Sequence, residues 1–246
     1  IAEDDNARTW DAITGRPLSA PVRLPGEPQS VRLSPDVRWV LAISRSAESG
    51  PRSGQAQVYD ASTGQPVSPS IGHAREVSTA AFSPDGSRIV TGSADGKARV
   101  WNPRTGQPIS AEMKHNQRIV GTQFSPDGQW VVTCSSDQTA RVWDASTGRP
   151  ISNPMKHANL VRDVSFSPDG HKVATASLDT TARVWGAATG KPLTPPLNHS
   201  DPVLCVKFSP DNRLILTACS STLRSRAQVW NTGSGKLVCR TAVIHD

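Results

Sequence analysis

The chain has 246 residues, 27 Lys plus Arg against 21 Asp plus Glu, a formal charge of +6, and 36% hydrophobic and 5% aromatic residues. A chain of this length buries roughly 70 to 75% of the surface its unfolded form exposes, so a core needs neither disulfides nor metal. No apolar run approaches the roughly 20 residues that cross a bilayer, no membrane partner is expected, and a charge this modest permits acidic partners without demanding nucleic acid.

The chain repeats itself. Trp101, Trp143 and Trp185 are 42 residues apart, and Ser83-Pro84-Asp85-Gly86 recurs with the same period at 125–128 and 167–170. A period of this size marks an array of one supersecondary unit. In chain order, residues 1–24 align with the stretch from Gly92 onward and predict a third and a fourth strand with nothing before them. Five full units follow, at 25–72, 73–114, 115–156, 157–198 and 199–246, making one domain over 1–246.

In the second full unit Val77 to Phe82 reads as a strand, and Ser83-Pro84-Asp85-Gly86 as a hairpin turn. Arg88 to Ser93 returns, Asp95-Gly96 turns again, and Ala98 to Trp101 forms a third strand. Pro108 to Ala111 predicts a fourth strand, at a sheet edge because Pro cannot donate to the ladder. Such a sheet buries both faces only by stacking copies around an axis, and no sustained 3.6-residue apolar period supports a helical solenoid. The expected class is all-β: a β-propeller of four-stranded antiparallel blades, five full and one partial, cut from a six- or seven-bladed ring. His245-Asp246 matches His115-Asn116, so flanking sequence of the same polypeptide is expected to complete the ring, with about 17 residues for six blades or about 59 for seven.

His73, Asp95 and Trp101-Asn102, with the full dipeptide at Trp10-Asp11 and Trp143-Asp144, resemble the WD-repeat β-propeller family over essentially the whole chain. The near-identical copies have the style of bacterial signalling propellers. The resemblance implies a structural network of His73, Ser93, Asp95 and Trp101, of His115, Ser135, Asp137 and Trp143, and of His157, Ser177, Asp179 and Trp185. The fifth full blade departs with Cys219 in place of the Ser and no Asp in its turn. The first has Tyr59 for Trp and Leu24 for His, so these two blades are expected to be the least stable.

Repetition empties the apparent Ser-His-Asp triads of catalytic meaning, since an enzyme does not need one active site per blade. The histidines belong to different blades and cannot share an ion. Cys134, Cys205, Cys219 and Cys239 show no CxxC spacing, so neither zinc nor a disulfide framework is expected. No phosphate-binding glycine loop is present, and no cofactor is expected.

Positions that differ between near-identical copies are candidates for binding. The turn after the His varies most, and both insertions, within Arg45 to Arg52 and around Leu223 to Arg226, fall between the second and third strands. Arg45, Arg52, Arg75, Lys97, Arg118, Leu160, Arg224 and Arg226 are the candidate partner-binding residues, predicting one basic rim. The reading is a non-catalytic interaction scaffold, a cytoplasmic module of a larger signalling or regulatory protein, with a protein or peptide partner, acidic or phosphorylated, on the loop face. A nucleic-acid binder would need stacking aromatics, yet Tyr59 is the only tyrosine. A propeller hydrolase or lyase would need an unrepeated carboxylate or His cluster in the central channel, and the sequence shows none.

Overall fold

The computed structural model describes residues 2–3, 6–8, 10–11, 13–17, 21–24, 27–45, 54–220 and 225–243. They form five four-stranded antiparallel sheets and one three-stranded sheet, each a meander of strands consecutive in sequence. The full blades span 27–72, 77–114, 119–156, 161–198 and 203–243 and are numbered one to five. Among the described residues there is no helix, and so none long and apolar enough to cross a membrane.

Blade two shows how the sequence builds the unit. Val77–Phe82, Ile89–Ser93 and Lys97–Trp101 pair in register, with Phe82 opposite Ile89 and Ile89 opposite Trp101. At the hairpin the Ser83 hydroxyl donates to Asp85 Oδ1 at 2.5 Å and accepts the Arg88 N–H at 2.9 Å, while Gly86 takes φ +69°. One serine thus fixes the turn and starts the return strand, which explains five copies of Ser-Pro without invoking modification.

Two expectations need correction. The fourth strand is Met113–Lys114, beyond the run 108–111. Pro108 makes only an isolated bridge to Trp101, and the Ser110 hydroxyl accepts the Val100 N–H at 3.0 Å, where a ladder carbonyl would stand. The outer strand therefore starts, breaks and resumes. The N-terminal sheet holds three strands, Ala2–Glu3, Asn6–Ala7 and Val22–Arg23; the first matches the end of a second strand that the alignment had left out.

The core lies between blades. Val131 packs with Val90, Val100, Met113 and Trp143 toward blade two, whereas its neighbour Val132 packs with Val142, Phe166 and Trp185 toward blade four. This is the period-two alternation of a strand buried on both faces. The same interleaving joins blades one and two, blades four and five, and the N-terminal sheet to blade one. Among the described residues no blade has a core of its own.

Candidate interaction face

The loop face is held by a repeated hydrogen-bonded relay. In blade three the Trp143 indole donates to Thr133 Oγ1 at 2.8 Å, that hydroxyl lies 2.7 Å from His115 Nε2, and His115 Nδ1 lies 3.0 Å from Asp137 Oδ2. An ionised carboxylate can only accept, so Nδ1 carries the hydrogen, and in that neutral tautomer Nε2 accepts from the Thr133 hydroxyl, which itself accepts from the indole. Blade four repeats this with Trp185, Thr175, His157 and Asp179 at 2.9, 2.7 and 2.9 Å. In blade two Trp101 and His73 converge on Thr91, with Asp95 more distant at 3.6 Å.

The bridging hydroxyl is thus a threonine, two residues before the serine that the family resemblance assigned. Residues two apart share a strand face, and the Thr-x-Ser pattern at 91–93, 133–135 and 175–177 was readable in the sequence. Ser93, Ser135 and Ser177 do different work. Ser135 Oγ accepts the Asp137 N–H at 3.1 Å and donates to Gln117 O at 3.0 Å, tying the turn between strands two and three to the turn before strand one. Asp137 completes that tie by accepting from Asn116 N–H and Thr139 N–H, both at 3.0 Å.

The two departing blades resolve differently. Blade five keeps His199 and Trp230 on Thr217 at 2.8 and 2.9 Å, and the Leu197 carbonyl takes the place of the missing Asp beside Nδ1 at 2.8 Å. Blade one loses the whole relay at once: Leu24, Ala42 and Tyr59 occupy the His, Thr and Trp positions in an apolar cluster. Losing these members together avoids leaving a half-satisfied buried network, which is worse than none.

The ionisation follows from the geometry. Burial alone would raise the Asp179 carboxyl, but hydrogen bonds from the Ala158 N–H, Thr181 and His157 outweigh it and bring the pKa down to about 2. Asp137 is lowered in the same way. Burial lowers His73, His157 and His199, against the pull of Asp95 on the first and Asp179 on the second.

On this rigid face Arg75, Glu76, Asn116, Gln117 and Arg118 line a groove of about 590 Å³ between blades two and three. Arg118 Nη2 sits 3.2 Å from Glu76 Oε1, whereas the exposed Arg75 guanidinium has no partner among the described residues. Arg226 donates to Ser200 Oγ at 3.0 Å, next to Asp201. Leu160 is half-buried, its carbonyl accepting from Ser177 Oγ at 2.9 Å. Lys97 does not join this face. Its ammonium turns to Glu112 at 3.0 Å, a carboxylate shared with Arg99 and Lys114 on the blade flank. The side chain of Arg45, and Arg52 and Arg224 entirely, lie outside the described residues. The described rim is therefore of mixed sign: Glu76 of blade two meets Arg118 of blade three, and Asp201 stands beside Arg226 within blade five.

The first strands of all five blades line a central channel of about 620 Å³. Sequence reading found no unrepeated carboxylate for it, and the structure corrects this with Asp163. Ser30, Thr79, Gly121 and Cys205 hold the same register position in blades one, two, three and five. Asp163 accepts from Val206 N–H at 3.1 Å and Lys207 at 3.2 Å, both in blade five, and from its own neighbour Val164. Gln123 caps Phe166 N–H of blade four in the same manner at 2.9 Å. No second carboxylate lines the channel among the described residues, so Asp163 has no acid–base partner there. No cluster of three metal-ligating side chains occurs among the described residues, and the four cysteines are unpaired.

A search of curated proteins finds no match. The chain is similar to the crystal structure of the computationally designed Ika8 protein, with a TM-score of 0.81 and 24% identity over 98% of this chain and 69% of that one, a likeness in fold. The family model for the WD domain, G-beta repeat, matches residues 64–102, 106–144, 148–186 and 190–225, each match running from one blade's outer strand to the next blade's third. With four repeats over more than half of its length, the chain belongs to the WD40 repeat family.

Proposed function

We propose that the chain is a non-catalytic scaffold that binds a protein or peptide on its loop face, as a module of a larger signalling or regulatory polypeptide whose flanking sequence completes the ring. Repeats of this family on a propeller fold fit a protein-interaction scaffold in general. The observation that carries the reading is the groove of Arg75 and Arg118, set on turns that the Asp-His relay fixes in place. Arg75 offers an unpaired guanidinium, and a carboxylate or phosphate is the group that a guanidinium binds through two parallel hydrogen bonds. An acidic or phosphorylated segment is therefore the proposed partner. Four unpaired thiols suit a reducing cytoplasm.

The test uses peptides selected from a random library for binding the intact chain. Replacing Arg75, Arg118 and Arg226 together by Ala, and separately Arg45, Arg52 and Arg224, is expected to weaken their affinity about tenfold or more with an unchanged melting temperature. Unchanged affinity in both triple variants would overturn the assignment of this face.

A further inference from the structure

The third strands carry a second repeated feature. Arg99, Arg141 and Arg183 stand opposite the relay residues Thr91, Thr133 and Thr175. Each lays its guanidinium over the indole two residues on, 5.8, 5.8 and 5.9 Å from the ring centroids of Trp101, Trp143 and Trp185. Residues two apart share a strand face, and this face is the one turned to the preceding blade, where Arg183 donates to the Lys156 carbonyl at 3.3 Å. A flat cation thus fills the space beside each of these Trp rings.

Blade one departs from this feature too. Gln57 holds the arginine position, opposite Ala42, and its amide donates instead to the Ser68 carbonyl of its own blade. Tyr59 stands for the Trp, and among the described residues no guanidinium covers its ring. Blade five also has Gln, at 228, but pairs it with Arg240 of the outer strand.

These smaller side chains border a cavity of about 580 Å³ between the N-terminal sheet and blade one. Pro21, Arg23 and Leu24 form one wall and Gln57, Tyr59 and Pro66 the other. The volume falls within the about 300–1,000 Å³ typical of ligand sites. Two polar groups there have no work in the fold. Tyr59 is 4% exposed, yet its hydroxyl has no hydrogen-bond partner among the described residues. A buried phenol usually finds one, but Leu24 and Ala42 have replaced the His and Thr that would supply it. Burial pushes the phenol up to about 12, so at neutral pH it is a donor. Arg23 is exposed, has no partner among the described residues, and faces no carboxylate in the cavity wall.

We infer that this cavity is a binding site for a small planar aromatic carboxylate, whose ring lies on Tyr59 and whose carboxylate is taken by Arg23 and the Tyr59 hydroxyl. The ligand is an anion because Arg23 repels a cation and no acidic side chain receives one. It is flat because the equivalent space in three other blades holds a flat group. A guanidinium binds a carboxylate through two parallel hydrogen bonds. The site shares no residue with the loop-face groove of Arg75 and Arg118, so it stands or falls apart from the proposed function.

The experiment titrates the intact chain with naphthalene-2-carboxylate, with its uncharged amide, and with the saturated decahydronaphthalene-2-carboxylate. The aromatic acid is expected to bind about tenfold or more tighter than the amide, and tighter than the saturated acid. Arg23→Gln should weaken it about tenfold or more. Tyr59→Phe removes only an unpartnered hydroxyl, so it should weaken binding with an unchanged melting temperature, a split that a phenol serving the fold would not give. Gln57→Arg restores the residue of the other copies, and its guanidinium should close the cavity and abolish binding in a chain that still melts cooperatively. Failure of the aromatic acid to bind at millimolar concentration, equal binding of the amide or the saturated acid, or full binding by the Arg23 or Gln57 variant would each overturn the proposal. A lower melting temperature with unaltered affinity in Tyr59→Phe would do so as well. Arg75→Ala with Arg118→Ala should leave binding unchanged, and loss there would place the acid on the loop face and remove this site.

Discussion

Replacing Thr133 by Val keeps the shape of the side chain and removes one oxygen. That oxygen accepts from Trp143 and bonds His115, and all three residues are buried. Each orphaned group costs about 1–3 kcal/mol, so Thr133→Val should destabilise the chain by about 2–4 kcal/mol in urea unfolding. Ser135→Ala should cost less, about 1 kcal/mol, because the turn it braces keeps its bonds to Asp137. The reverse ranking would show that the serine carries the relay. The same residues set the response to acid. Asp179 has a folded pKa near 2 against an ordinary 3.8, so its contribution is present above about 3.8 and lost as pH falls toward 2. His73, His157 and His199 are lowered from 6.5, so the unfolded chain takes up protons first and stability falls as pH drops below about 6.5. Both effects run the same way. The melting temperature should be flat from about pH 8 to about pH 7, fall toward pH 5, and fall again below pH 4. A rise on going from pH 7 to pH 5 would mean that the folded histidines hold charge.

At the scale of the element, the hairpin turn contains one misfit. The position that is Gly86, Gly128 and Gly170 in blades two to four is Val37 in blade one, at φ +61°, and Asn212 in blade five, at φ +64°. Asn enters the left-handed region readily, whereas a β-branched residue there is strained. Val37 is 51% exposed and has no packing role to lose. Val37→Gly should therefore raise stability by about 1 kcal/mol in chemical denaturation, and a loss would show that this turn differs from its copies. The elements were also where sequence reading was most and least successful. Ser-Pro-Asp-Gly announces its hairpin because the turn is closed by local bonds. The outer strand was misplaced because Ser110 supplies a side-chain acceptor that no propensity describes. The pairing of Arg118 with Glu76, 42 residues away, and of Lys207 with Asp163, 44 residues away, arises from blades meeting side by side. No local pattern encodes such adjacency, so the rim read as basic and Asp163 passed unnoticed.

For the whole molecule, cores shared between neighbours mean that no blade is stable by itself, and the blades whose relay departs from the pattern, one and five, are the weakest part. Blade one has no relay at all between its turns. Amide hydrogen exchange should show the slowest exchange in the second strands of blades two to four, at Ile89–Ser93, Trp130–Ser135 and Lys172–Ser177, and faster exchange in blades one and five. Uniform protection across all five would mean that the relay contributes nothing to local stability. A stiff middle is also what a recognition face requires, since side chains on pre-set turns lose little freedom on binding. The measurement that reaches the central claim is hydrogen exchange of the intact chain with and without a library-selected peptide. Binding on the loop face should slow exchange at the amides of 74–76 and 116–118, around Arg75 and Arg118. Identical exchange at those amides with the peptide saturating would contradict it.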